Sequence, residues 1–199
     1  MSVSVVTPPT DEPVWIDDLR KHCRIPIDDT DEDDLLAIYL GAARDWVEGF
    51  TRRAVMPQTL KLTLKSFPVE EGWYSATAPI ELPRPPAREL LSLDWFDQSG
   101  TLQSFDVDDL IVLTDREPAI VVPVPGVCWP VAQPRPDAVT LTWDAGYASA
   151  AAVPDGIKNA LLLVAASNYE QREATSDAKQ TEVPYGAARL LWRHRFVLP

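Results

Sequence analysis

Between Thr30 and Thr51 runs an apolar stripe that a chain of this size can satisfy only by building around it. Leu35, Leu36, Tyr39, Ala42, Ala43, Trp46, Val47 and Phe50 recur at steps of three and four, the spacing that gathers side chains on one face of a helix. Thr30 stands ahead of them as the expected N-cap, with Asp33 three residues on in a capping-box position. At ~1.5 Å per residue such a helix is ~30 Å long. That is close to twice the ~16 Å radius of gyration expected for a chain of this length. The helix is therefore expected to be the central beam of the fold.

The flanking segments divide by texture. Trp15, Ile16, Leu19 and Cys23 sit at helical spacing within residues 14–24, and Pro26 ends that short helix. From Pro57 the period changes to two: Leu60, Leu62 and Leu64 alternate with polar residues, as in a half-buried strand. "PIELPRPPAREL" reads as proline-punctuated extended chain, and "LLSLDWFDQSGTLQSF" as two strands about a turn at Ser99-Gly100. "LIVL", "PAIVVP" and "AVTLTWDAGY" are further short strands. Twelve of the 19 prolines fall between residues 57 and 136, which favours edge strands and turns. Helix returns at Pro154, where Ile157, Ala160, Leu161, Val164, Ala165 and Tyr169 share a face. The polar run 174–183 is expected to be mobile, and a last short helix is expected to start near Pro184. The expected class is α+β, a small helical bundle core with an inserted proline-rich β subdomain. Its parts are 1–56 (N-terminal helical part), 57–153 (β insertion) and 154–199 (C-terminal helix and tail).

At 199 residues a chain buries roughly 70% of its unfolded surface, so neither metal nor disulfide is needed to hold it together. The longest apolar run, residues 160–166, is too short to span a membrane. The first residues show no signal-peptide pattern. Cys23 and Cys128 are isolated and are expected to be buried thiols of a cytosolic protein. The net charge of −12 is unevenly placed: residues 1–35 carry a net of −7, and residues 184–199 carry three arginines and no acid. Strong acidity argues against sequence-specific nucleic-acid binding, which wants a basic face. Ends of opposite sign suit a molecule that stacks on partners or on copies of itself.

The densest charge is Asp28, Asp29, Asp31, Glu32, Asp33 and Asp34, six acids in seven residues. Set against a calcium loop starting at Asp29, Asp31 and Asp33 fit. Asp34 stands where the glycine belongs, and Leu40 where the bidentate glutamate belongs. Acids in a first helical turn are favoured in any case by its unpaired N–H groups and positive dipole end. His22 and His194 lie at opposite ends of the chain, and no zinc spacing, G-x-S-x-G elbow or G-x-G loop occurs. Carboxylate pairs such as Asp94 with Asp97 or Asp108 with Asp109 read as solvated turn residues. Neither a catalytic residue nor a cofactor is expected. Two other readings stay open. A carbohydrate- or nucleic-acid-binding β module would need exposed Trp73, Trp95 or Trp129. A calcium-dependent hydrolase would need the 28–34 acids to converge with a further ligand.

The tail interleaves Leu190, Leu191, Trp192, Phe196, Val197 and Leu198 with Arg189, Arg193 and Arg195. Tryptophan and arginine are enriched at interface hot spots. Docking on a partner and packing on its own domain are equally good readings of such a segment.

In segment order the chain resembles the head–tail connector proteins of tailed bacteriophages, also called adaptor or head-completion proteins. Leu19-Arg20, the acids Asp28 to Asp34, Ala42-Ala43-Arg44, Val47-Glu48 and Thr51 match that family's opening. "IELPRPPAREL", "GYASAAAVPDGIKNALLLVAASNYEQRE" and "VPYGAARLLWRHRF" are similar to its later segments, so the resemblance runs from about Val14 to Phe196. Trp192-Arg193-His194-Arg195 departs from it, since the family usually continues with a small residue or proline and then Tyr-Arg. The resemblance implies a structural virion protein and not an enzyme. It implies a homo-oligomeric ring of about twelve copies between the portal protein and a tail-side stopper or head-closure protein. Such a ring passes DNA non-specifically, in a phage or a phage-like gene-transfer particle. Its place would be the virion's head–tail interface, reached from the host cytoplasm during assembly. The implied portal-docking residues are Leu190, Leu191, Trp192, Arg193, Arg195 and Phe196. Asp28, Asp29, Asp31, Glu32, Asp33, Asp34, Arg52 and Arg53 would supply subunit or channel electrostatics.

Overall fold

The computed structural model describes residues 1–69, 77–171 and 185–197. These described residues form a mixed α+β fold of four α-helices and two antiparallel sheets. Two compact units divide the chain: residues 1–9 with 57–146, and residues 10–56 with 147–199.

In the first unit, β1 (Ser2–Thr7), β2 (Gln58–Leu64), β8 (Val139–Ala145), β4 (Ala87–Phe96) and β5 (Leu102–Ser104) form a sheet in the order β1-β2-β8-β4-β5. Its core is legible in the register. Leu60 and Leu90 flank Trp143, and Leu62 and Leu93 flank Leu141; all six are buried. Leu90 and Leu93 are three apart, which a regular strand would place on opposite faces. The register shift between Leu90 and Ser92 returns them to one face. A second sheet runs β3-β7-β6, from β3 (Ile80–Leu82), β7 (Ala119–Pro123) and β6 (Leu110–Leu113).

Two elements differ from expectation. Residues 2–7, placed with the helices from sequence, form β1 and pair with β2. The "PIELP" stretch is not merely extended: bracketed by Pro79 and Pro83, Ile80–Leu82 pairs with β7. The hairpin turn at Ser99-Gly100 is present, with Gly100 at φ 84°, a conformation that costs glycine little.

In the second unit, α1 (Ile16–Cys23), α2 (Asp33–Thr51), α3 (Asp155–Glu170) and α4 (Tyr185–Leu191) enclose one apolar core. The inward stripe of α2 is Leu36, Leu40, Ala43 and Val47, spaced four, three and four. Leu35, Tyr39, Trp46 and Phe50 are half-buried beside it, and Ala42 faces solvent. From α3, Ile157, Ala160, Leu161, Val164 and Ala165 are buried as their spacing implies. Tyr39 meets Tyr169 edge-on at 6.4 Å.

The start of α2 needs correction. Its N-cap is Glu32, with no side-chain cap, and not Thr30. The acids of the expected capping box are engaged elsewhere: Asp33 pairs with Arg20, and the Tyr169 hydroxyl donates to Glu32 at 2.8 Å. Cys128 is exposed rather than buried and Cys23 is half-buried; in "GVCWP" it is Trp129 that takes the core position. The polar run 174–183 and Trp73 lie outside the described residues.

Candidate functional site

The polar residues of the N-terminal helices turn out to serve the fold. Arg20 is buried and bonds both Asp17 and Asp33, joining α1 to the first turn of α2. Arg44 pairs with Glu12 at 3.0 Å; burial nonetheless pushes the Glu12 carboxyl up from its ordinary range. Glu48 is buried and accepts the Val55 N–H at 2.7 Å, and the Thr51 hydroxyl donates to the Val47 carbonyl at 2.7 Å. Replacing Arg20 by alanine should cost about 2 kcal/mol. That is less than the 3–5 typical of breaking a wholly buried pair, because Asp17 and Asp33 keep contact with water and resolvate. Thermal melting of the variant checks this.

The acid run does not form a metal site. Asp28, Asp29, Asp31 and Asp34 are exposed, while Glu32 and Asp33 turn inward to Tyr169 and Arg20. Among the described residues no group of three or more His, Cys, Asp or Glu side chains is placed to hold a metal ion. Asp94 and Asp97 act within the β4–β5 hairpin. Asp97 accepts from the Ser99 and Thr101 N–H groups at 2.8 and 3.0 Å and from the Gln103 amide at 3.0 Å. These bonds, led by that of the Ser99 hydroxyl, hold its carboxyl at about 2.

Among the described residues, Trp95 and Trp129 of the β unit pack inward and do not form a binding platform. Trp129 is buried, donates to the Ala78 carbonyl at 2.8 Å and stacks on Phe67 at 5.0 Å. Trp95 is half-buried against Phe105 at 4.6 Å.

The tail packs on its own helices with part of its surface turned outward. Leu191 and Phe196 are buried and Leu190 is half-buried. The Phe196 N–H donates to the Thr51 carbonyl at 2.8 Å, and Arg53 donates to the His194 carbonyl. The His194 ring lies where Gly156 has no side chain; a Cβ there would sit 3.0 Å from Nε2. Burial, reinforced by Arg53 and Arg193, holds the His194 imidazole below its usual range. Gly156 is a contact that periodicity does not reveal. Gly156→Ala should strengthen α3 by up to about 1 kcal/mol in helix propensity, yet push the tail outward. Hydrogen exchange should then rise at residues 192–197 while that of α3 does not.

Turned outward are Trp192, 64% exposed, together with Arg189 and Arg193. Arg195 is half-buried, its guanidinium 5.1 Å from the Trp192 ring and 5.7 Å from the Phe50 ring, distances at which a cation is attracted to the ring face. An apolar hollow lies between Phe50, Ala188, Arg189 and Trp192. On the other side of Arg189 a groove is lined by Gly156, Leu163, Gly186, Leu190 and Arg193. Arg52 is exposed at the left-handed end of α2. The structure thus separates the tail residues into anchors (Leu191, Phe196) and an exposed basic-aromatic face. The latter is the composition of a protein-docking surface.

Residues 14–103 match the family described as phage gp6-like head-tail connector protein. The match spans 90 of the 199 residues, from the start of the helical unit into the β unit. Solved structures agree over the whole chain. The neck of an empty GTA particle computed with C6 symmetry contains a protein 25% identical, with a TM-score of 0.76, covering 100% of this chain and 97% of the other. The virion of the native gene transfer agent particle and the neck of the native particle computed with C12 symmetry contain chains of the same identity and coverage, with TM-scores of 0.75 and 0.72. No curated protein matches the sequence.

Proposed function

We propose that this chain is the head–tail adaptor, a connector, of a phage or phage-like gene-transfer particle. It assembles as a ring of about twelve copies between the portal and the tail-side stopper or head-closure protein, and extends the channel through which DNA passes. The carrying observation is the end-to-end likeness to neck proteins of GTA particles treated with sixfold and twelvefold symmetry. The net charge of −12 suits a conduit that must not grip a polyanion. The strands between the two helical parts of the chain are read as a proline-rich insertion into a helical core.

Within this reading, Trp192 and Arg195, with the hollow beside Phe50, meet the portal, while Leu191 and Phe196 hold that face on the helices. Changing Trp192 and Arg195 together to alanine should weaken capture by purified portal rings about tenfold or more, in line with a hot-spot residue. The melting temperature should fall only slightly, by the loss of the contacts that both side chains make with Phe50. Undiminished capture would contradict the assignment. Truncation at residue 184 is not a clean alternative, because it removes Ala187, Leu191 and Phe196 from the core.

A further inference from the structure

Among the exposed charges of the helical unit, four carboxylates at one end and two arginines of the tail have no partner of opposite charge among the described residues. Asp28, Asp29, Asp31 and Asp34 are exposed, and among the described residues no cation pairs with them. Arg189 and Arg193, both exposed, likewise have no carboxylate within ion-pair distance among the described residues. The acids and Arg193 lie at opposite ends of α3 within one copy. Glu32, beside the acids, bonds Tyr169 near the end of α3, whereas His194, beside Arg193, packs on Gly156 at its start. Those two points are thirteen residues apart on α3, roughly 20 Å along the axis.

We propose that the groove between the start of α3 and the tail receives the Ile27–Asp34 segment of a second copy of this chain. The groove offers apolar surface from Leu163 and Leu190, with small Gly156 and Gly186 giving room, and carries Arg189 and Arg193. The segment offers Ile27, an apolar side chain 54% exposed, followed directly by the acids. Ile27 seats on Leu163 and Leu190, and the carboxylates of Asp28, Asp29 and Asp31 reach the two arginines. Apolar contact at the centre with complementary charge around it gives both affinity and register. Donor segment and receiving groove are different surfaces of one unit, so the contact is heterologous and repeats around a ring when the rotation closes. The inference rests on the ring reading and identifies which surfaces its neighbours share. Glu32 and Asp33 stay within their own copy, on Tyr169 and Arg20.

The test is a charge swap read by counting copies on portal rings in electron micrographs. One variant carries Asp28→Lys, Asp29→Lys and Asp31→Lys; a second carries Arg189→Glu and Arg193→Glu; a third carries all five. Circular dichroism verifies that each folds. Each single-sided variant should lose ring occupancy about tenfold or more, as expected when like charges oppose, and the five-fold variant should regain it. In a background with Cys23→Ser and Cys128→Ser, Ile27→Cys with Gly186→Cys should form disulfide-linked ladders, and either cysteine alone should not. Loss by the arginine variant with an intact acid variant would overturn the inference and assign the groove to another protein. Rings unaffected by either side would overturn it with the ring reading intact. A wild-type chain that never multiplies on the portal would overturn the ring reading, and this contact with it.

Discussion

Leu191→Ala should destabilise the helical unit by about 2–5 kcal/mol, the range for emptying a leucine site in a closed core. Leu191 is 0% exposed and belongs to the cluster that holds Leu36, Leu40, Val47, Ile157 and Leu161. Phe196→Ala should cost about 3 kcal/mol or more, because its ring is also buried; the backbone N–H that binds the Thr51 carbonyl is kept. Trp192→Ala, one residue from Leu191, should fall within about 0.5 kcal/mol, since its ring is 64% exposed. Chemical denaturation of the three variants separates the inward from the outward side chains of one short segment. Equal losses at Leu191 and Trp192 would show that the tail is not seated as described.

The second large effect belongs to the β unit. Trp129→Ala should cost about 3–5 kcal/mol. It removes a buried indole that stacks on Phe67, meets Phe105 edge-on at 5.4 Å and leaves the Ala78 carbonyl without its donor. Oligosaccharide or single-stranded DNA should not stack on Trp129, because this ring has no open face; in a variant that keeps Trp129 as its one tryptophan, neither should change the fluorescence. A variant that keeps its melting temperature but loses a ligand would restore the binding-platform reading.

What could be read in advance depended on whether local pattern settles the matter. The stripes of α2 and α3 did, because burial of Leu36, Ala43, Val47, Ile157 and Leu161 follows from helical spacing. The strands around Leu60 to Leu64, Val139 to Ala145 and the Ser99-Gly100 turn were equally plain. β1 was not. Its side chains are almost all exposed, so "SVSVVT" has no buried face to announce it, and its place depends on pairing with β2, more than fifty residues away. The start of α2 was displaced from Thr30 for a related reason. Glu32 and Asp33 are claimed by Tyr169 and Arg20, partners distant in sequence. The tail shows the sharpest limit. Large apolar residues beside arginines suit both a core and an interface, and only the packing of Leu191 and Phe196 distinguishes the two roles.

The acid run also changes meaning. Two of its six members join structural elements, and four remain as free charge on a helical unit whose opposite end carries free arginines. That arrangement makes repeated head-to-tail contact physically natural, and a ring is its closed form.

The central claim is tested most directly by native mass measurement and electron-microscope imaging of this chain with and without purified portal rings. The account predicts a closed ring of about twelve copies stacked coaxially on the portal, its channel continuous with the portal's. Portal rings that stay bare, or that bind scattered single copies without closing a ring, would contradict it.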